Sequence, residues 1–200
     1  MGLFDKLFGG TKKGSNVELP EDTSFTSSDQ LMDEDPFWKI IQTTKDKSGS
    51  DYEQQQKALA DELGKLTAGD IMLFDNRFRY LRGRANTWEL WGAIYIIHGG
   101  CSDDSFNDFR EWVIGQGKAF YYKTIQDPES LVEVNTDKIE EVDWEGLGYV
   151  ASTVFQEMTG QDIPSAFEEN QYTTGKEWTE ESDDLKLMFP ELYAKYPDNF

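Results

Sequence analysis

Cysteine and histidine are nearly missing from these 200 residues, and basic residues are few. Cys101 is the one cysteine, so no disulfide can form within the chain, which suits a reducing compartment. His98 is the one histidine, and this pair falls short of the four ligands of a structural zinc. No apolar run approaches the roughly 20 residues that span a bilayer, so stable membrane insertion is not expected. Only 19 Lys and Arg stand against 39 Asp and Glu, a net charge of −20 with pI ≈ 4.3. A surface so acidic repels phosphate backbones and anionic lipid, so nucleic acid is excluded as the expected partner. It favours a basic protein partner, and it also serves solubility alone. No strand-like alternation of convincing length and no internal repeat is present.

What is there is enough for a packed core: 38% hydrophobic and 14% aromatic residues. Residues 1–34 read as a tail and linker. Residues 1–10, MGLFDKLFGG, place Leu3, Phe4, Leu7 and Phe8 at helical spacing, as a docking peptide or a frayed terminus does. Asp5 and Lys6 interrupt any signal-like apolar run, and Lys6 sits where N-myristoylation wants Ser or Thr. The expected address is the cytoplasm. Residues 35–160 read as a helical domain, and 161–200 as an acidic arm packing on it.

Within the domain, Asp35-Pro36 is the expected start of the first helix. A second helix runs from Asp51 to about Leu66. A third, capped by Thr67, carries Ile71, Phe74, Phe78 and Leu81 on one face and Arg77, Arg79, Arg82 and Arg84 elsewhere. Residues 88–97 are apolar nearly all round, as a central helix is, and Gly99-Gly100 ends them. Ser102 caps a fifth helix with Phe106, Phe109, Trp112 and Val113 inward. A sixth segment, 118–125, follows, and a helical stripe returns over 145–158. The run DDLKLMFPELYAKY, 183–196, holds two helical turns, the second opened by Pro190. The fold class is all-α, a compact multi-helix bundle.

The most distinctive runs are Phe37-Trp38, WELWGA at 88–93, GGCSDDSFNDFREWVIGQG at 99–117 and DPESL at 127–131. With the pattern around Phe74 and Phe78, they resemble a bacterial family catalogued as domain of unknown function 4240, over roughly residues 36–160. The resemblance implies a fold and a bacterial origin. It implies no reaction.

Four acids, Asp103, Asp104, Asp108 and Glu111, open the fifth helix. The last three share a face and have the oxygen chemistry of a Mg²⁺ or Ca²⁺ site. The calcium-loop spacing is missing, however, and acids at a helix N-terminus already offset its positive end. No metal and no cofactor is therefore expected. His98 and Cys101 lack a third orienting group and read as core rather than as a nucleophilic pair. The four arginines are expected to pair with the protein's own acids rather than seat a phosphate. Trp88, Trp91 and Trp112 read as core knots. The expected function is a non-enzymatic, protein-binding module, in its specific form an immunity protein that neutralises a basic toxin. Its candidate binding acids are Asp103, Asp104, Asp108, Glu111, Glu140, Glu141, Glu168 and Glu169. The alternative is an enzyme or a small-ligand or metal-binding protein with its site near the Gly99–Asp104 corner.

Overall fold

A computed structural model describes residues 30–135, 146–164, 167–180 and 183–199. Its principal helices are α1 (Glu34–Ser48), α2 (Tyr52–Leu63), α3 (Ala68–Arg84), α4 (Trp88–His98), α5 (Asp103–Gly115) and α6 (Lys118–Gln126). After a 3₁₀ segment, Pro128–Glu133, come α7 (Val150–Thr159), α8 (Asp184–Met188) and α9 (Pro190–Lys195). The protein is all-α. Among the described residues, extended pairing is confined to a parallel bridge between Thr87 and Thr174.

The helix boundaries follow from short-range chemistry. Thr67, Thr87 and Ser102 each accept a hydrogen bond from the backbone three residues on, at 3.1–3.2 Å, and so cap α3, α4 and α5. Gly99 ends α4 at φ 66°, where a residue with a Cβ would be strained. The start of α1 differs from expectation. Its N-cap is Asp33, and Pro36 is the third residue of its first turn, where its missing N–H is not needed.

Packing also begins before Asp35. Leu31 and Met32 are buried. The Met32 N–H donates to the Leu73 carbonyl at 2.9 Å, and Arg77 Nε donates to the Met32 carbonyl at 2.7 Å. An apolar pair just ahead of the first helix is thus folded onto α3.

The core gathers Phe37, Trp38 and Ile41 of α1, Leu59 and Leu63 of α2, and the Ile71, Phe74, Phe78, Leu81 stripe of α3. Polar side chains tie its helices at their ends. Gln55 donates to the Gly115 carbonyl at 2.9 Å and Lys45 to the Gln116 carbonyl at 2.7 Å, meeting orphan acceptors at the end of α5. Tyr121, fully buried, donates to the Leu81 carbonyl at 2.7 Å.

α4 is central because residues 171–180 and 183–199 cover it. Leu90, Ala93, Ile94 and Ile96 are fully buried. Across Gly92 lies a strap made of the extended chain at 171–180, α8 and α9. A Cβ on Gly92 would stand 2.8 Å from Leu185 Cδ2 and 2.9 Å from Trp178 Nε1, so the absent side chain is what admits both. Trp178 donates to the Trp88 carbonyl at 2.8 Å and packs edge-on against Trp88. Leu185, Phe189, Leu192 and Tyr196 are buried behind it. Asn199 Nδ2 then donates to the Ile96 and Ile97 carbonyls, satisfying the last turn of α4. Of the three tryptophans read as core, Trp112 is buried. Trp88 and Trp91 are half-buried and stack on each other, with Phe106 against Trp91.

Candidate functional site

Among the described residues, the densest charged constellation lies inside, where α3, α5 and a second 3₁₀ turn, Leu147–Tyr149, just before α7 meet residues 167–170. Arg82 is its centre. Its Nη1 bonds Glu111 Oε1, while Nε and Nη2 fork onto Glu169 at 2.8 and 2.6 Å. The two carboxylates are only 2% and 5% exposed. Glu111 also accepts the Gly148 N–H at 2.8 Å, fixing the start of α7. A Cβ on Gly148 would collide with that carboxylate, so glycine is required for the approach. Burial opposes the charge on Arg82, but the hydrogen bonds and field of Glu169 and Glu111 outweigh it and raise its pKa.

Two further charges lie beside this triad. Arg110 is buried, which lowers its pKa to about 10 despite Glu169 and Glu111. It contacts the Arg82 carbonyl at 3.2 Å and the Phe106 ring, and its Nε has no hydrogen-bond partner among the described residues. Asp75 is raised to about 6, chiefly by burial, because Arg79 stands 4.0 Å away and compensates only in part. Neither residue stood out in the sequence. A signal existed for both: each sits among apolar stripe residues, Asp75 beside Phe74 and Phe78, Arg110 four residues after Phe106.

Asp75 has a consequence for pH dependence. An unfolded Asp titrates near pH 3.9, so above about pH 6 the folded state alone bears the cost of the buried charge. That cost fades as pH falls from about 6 to 4, and this group's contribution to stability rises on acidification. Two pKa units correspond to at most about 3 kcal/mol. Asp75→Asn should be more stable than the parent at pH 8, and the gap should close by pH 4. Thermal unfolding of both proteins across that range checks it; a constant gap would mean that Asp75 is not the titrating group.

This arrangement is a clamp. It separates the acids named from sequence into two groups. Glu111 and Glu169 are buried against Arg82 and are removed from any exposed binding face. Asp103, Asp104 and Glu168 are exposed, and Asp108 is half-buried. Glu140 and Glu141 lie outside the described residues. Asp104, Asp108 and Glu111 share a helix face by spacing but not by environment, since α5 turns from solvent to core along its length. Among the described residues, no group of three or more His, Cys, Asp or Glu is placed to hold a metal ion. The arginines divide similarly. Arg82 forms its ion pairs with Glu111 and Glu169. Arg79 approaches Asp75 and Glu169, while Arg77 and Arg84 lie over the Tyr80 ring.

At the Gly99–Asp104 corner, the Cys101 carbonyl accepts Trp91 Nε1 at 2.9 Å. Burial pushes the Cys101 thiol up to about 12, so it stays protonated at neutral pH and is a poor nucleophile. A groove of about 310 Å³ lies elsewhere, between α2 and α7, lined by Lys57, Ala60, Tyr149, Val150, Val154 and Glu157 among others. Among the described residues, exposed acids are densest along 161–199, where Asp162, Glu168, Glu177, Glu180, Asp183, Glu191 and Asp198 are all exposed, and others, Asp46, Glu53 and Asp103 among them, lie on the helices before it.

Residues 32–157 match a family described as a protein of unknown function, DUF4240, in agreement with the motifs read over 36–160. No curated protein and no solved structure matches the chain. The matched segment contains α1 to α6 and most of α7. It stops short of the strap that covers α4.

Proposed function

We propose that this chain, which belongs to the DUF4240 family, acts by binding a basic protein through its exposed acids rather than by catalysis. One observation carries the reading: among the described residues, most of the carboxylates are exposed. With 39 acids and 19 bases, pairing every base once would still leave 20 carboxylates. Two of the acids that do pair, Glu111 and Glu169, are buried structural partners of Arg82. The exposed acids of residues 161–199 form part of a surface that would attract a basic partner, speed encounter and set its orientation.

The specific form of the proposal is an immunity protein in a bacterial cytoplasm, neutralising a basic toxin such as a nuclease. A dense acidic face on a folded helical scaffold suits that task, because the charge steers and the scaffold keeps the face preorganised. Cross-linking the full chain in its source cells, then identifying the captured protein, tests the proposal. The expected partner has a basic isoelectric point, and high salt applied before cross-linking prevents its capture. A neutral or acidic partner captured equally at all salt concentrations would overturn the acidic-face reading.

A further inference from the structure

The groove between α2 and α7 is apolar at its base and electrically balanced at its rim. Ala60, Val150 and Val154 line it, with Tyr149 at 62% exposure. Lys57 and Glu157 supply one charge of each sign. Met158, 46% exposed, continues the Val150–Val154 stripe by one turn. At about 310 Å³ the groove is at the small end of ligand-site volumes. Its balanced rim makes it a poor seat for the strongly basic partner proposed above, so it needs another occupant.

The chain carries a segment of matching chemistry. Leu3, Phe4, Leu7 and Phe8 share one face at helical spacing, with Asp5 and Lys6 on the back. A helix this short is marginal in water and needs a surface to cover its apolar face. One acid and one base on the segment complement Lys57 and Glu157 on the rim.

We propose that residues 3–8 dock as an amphipathic turn into the groove between α2 and α7 of the same chain. Tethering makes this feasible. Twenty-one residues, 9–29, join the segment to Gln30. Such a tether spans roughly 70 Å when extended and roughly 25 Å as a coil, against a radius of gyration of about 15 Å for the folded part. It is anchored nearby: Asn76 of α3 donates to the Gln30 carbonyl at 2.9 Å, and α3 packs directly on α7. The linker therefore holds the segment at high effective concentration over the groove, and modest contact area suffices to keep it there. Docking would cover Tyr149 and the mouth of the groove and bury the apolar face of Leu3, Phe4, Leu7 and Phe8.

Amide hydrogen exchange of the full-length protein tests this directly. Exchange at residues 3–8 should be slowed by about tenfold or more relative to an unstructured peptide of the same sequence. Thr153→Arg, at an exposed position in the groove mouth, and Leu7→Asp should each restore unstructured rates while leaving the melting temperature nearly unchanged. Unprotected exchange in the parent protein would overturn the proposal. So would protection that survives Thr153→Arg, which places the segment elsewhere. Protection that rises with protein concentration would assign the groove to a second copy. Protection of residues 136–145 alone that Thr153→Arg abolishes would assign it to that segment; both outcomes contradict docking by residues 3–8.

Discussion

Trp178→Ala should lower the melting temperature by roughly 10–15 °C. The indole is 8% exposed, seated over Gly92 and hydrogen-bonded to the Trp88 carbonyl at 2.8 Å. Truncating a core Trp costs about 3–5 kcal/mol, and each kcal/mol shifts the midpoint by about 2–4 °C in a domain of this size. The loss should reach beyond one side chain. Trp178 fixes the extended chain that delivers Leu185 and Phe189 to α4, and Asn199 to the carbonyls that end that helix. Protease should accordingly cut first between residues 171 and 183 in the variant. An unchanged midpoint would show that the strap is dispensable to the fold.

Glu111→Ala should be comparably severe, about 3–5 kcal/mol, because it removes one partner of a buried ion pair and strands the others. Arg82 would keep only Glu169, and the Gly148 N–H would lose its acceptor. Replacing Arg82, Glu111 and Glu169 together by leucines should recover most of that loss, since a buried charge network is often no more stable than apolar packing of similar volume. Chemical denaturation of the single and triple variants measures both. A benign Glu111→Ala would place that carboxylate at the surface, contrary to the structure.

Most of the helical framework was legible in the sequence because its signals are local. The Ile71, Phe74, Phe78, Leu81 stripe needs only a 3.6-residue period, and Thr67, Ser102 and Gly99 announce their helix ends by type and place. The start of α1 lies two residues ahead of the Asp35-Pro36 signal, which is a good terminus signal by itself. The pull of Met32 onto Leu73 lies 41 residues away in sequence and is invisible to a local pattern. The same limit applies to the acids. Spacing puts Asp104, Asp108 and Glu111 on one helix face, but only the approach of Arg82 from α3 and of Gly148 from the 3₁₀ turn makes the third a core residue. Glu168 and Glu169 are neighbours with opposite fates. One is exposed, and the other is drawn inside by Arg82 and Arg79. Nothing in their types distinguishes them. That α4 is central could be read from its apolar character. That Gly92 opens a notch for Trp178 depends on contacts across 86 residues.

The separation of buried structural acids from exposed steering acids is the central claim, and association kinetics with the captured partner test it most directly. Raising salt from about 0.05 to 0.5 M shortens the Debye length from roughly 14 to 4 Å. The on-rate should then fall by about tenfold or more, with a smaller change in off-rate. Changing Glu168, Glu177, Glu180 and Glu191 to glutamine should reproduce that fall at low salt without altering the melting temperature. An on-rate indifferent to both salt and these four substitutions would contradict the account and leave the acidic surface a device for solubility alone.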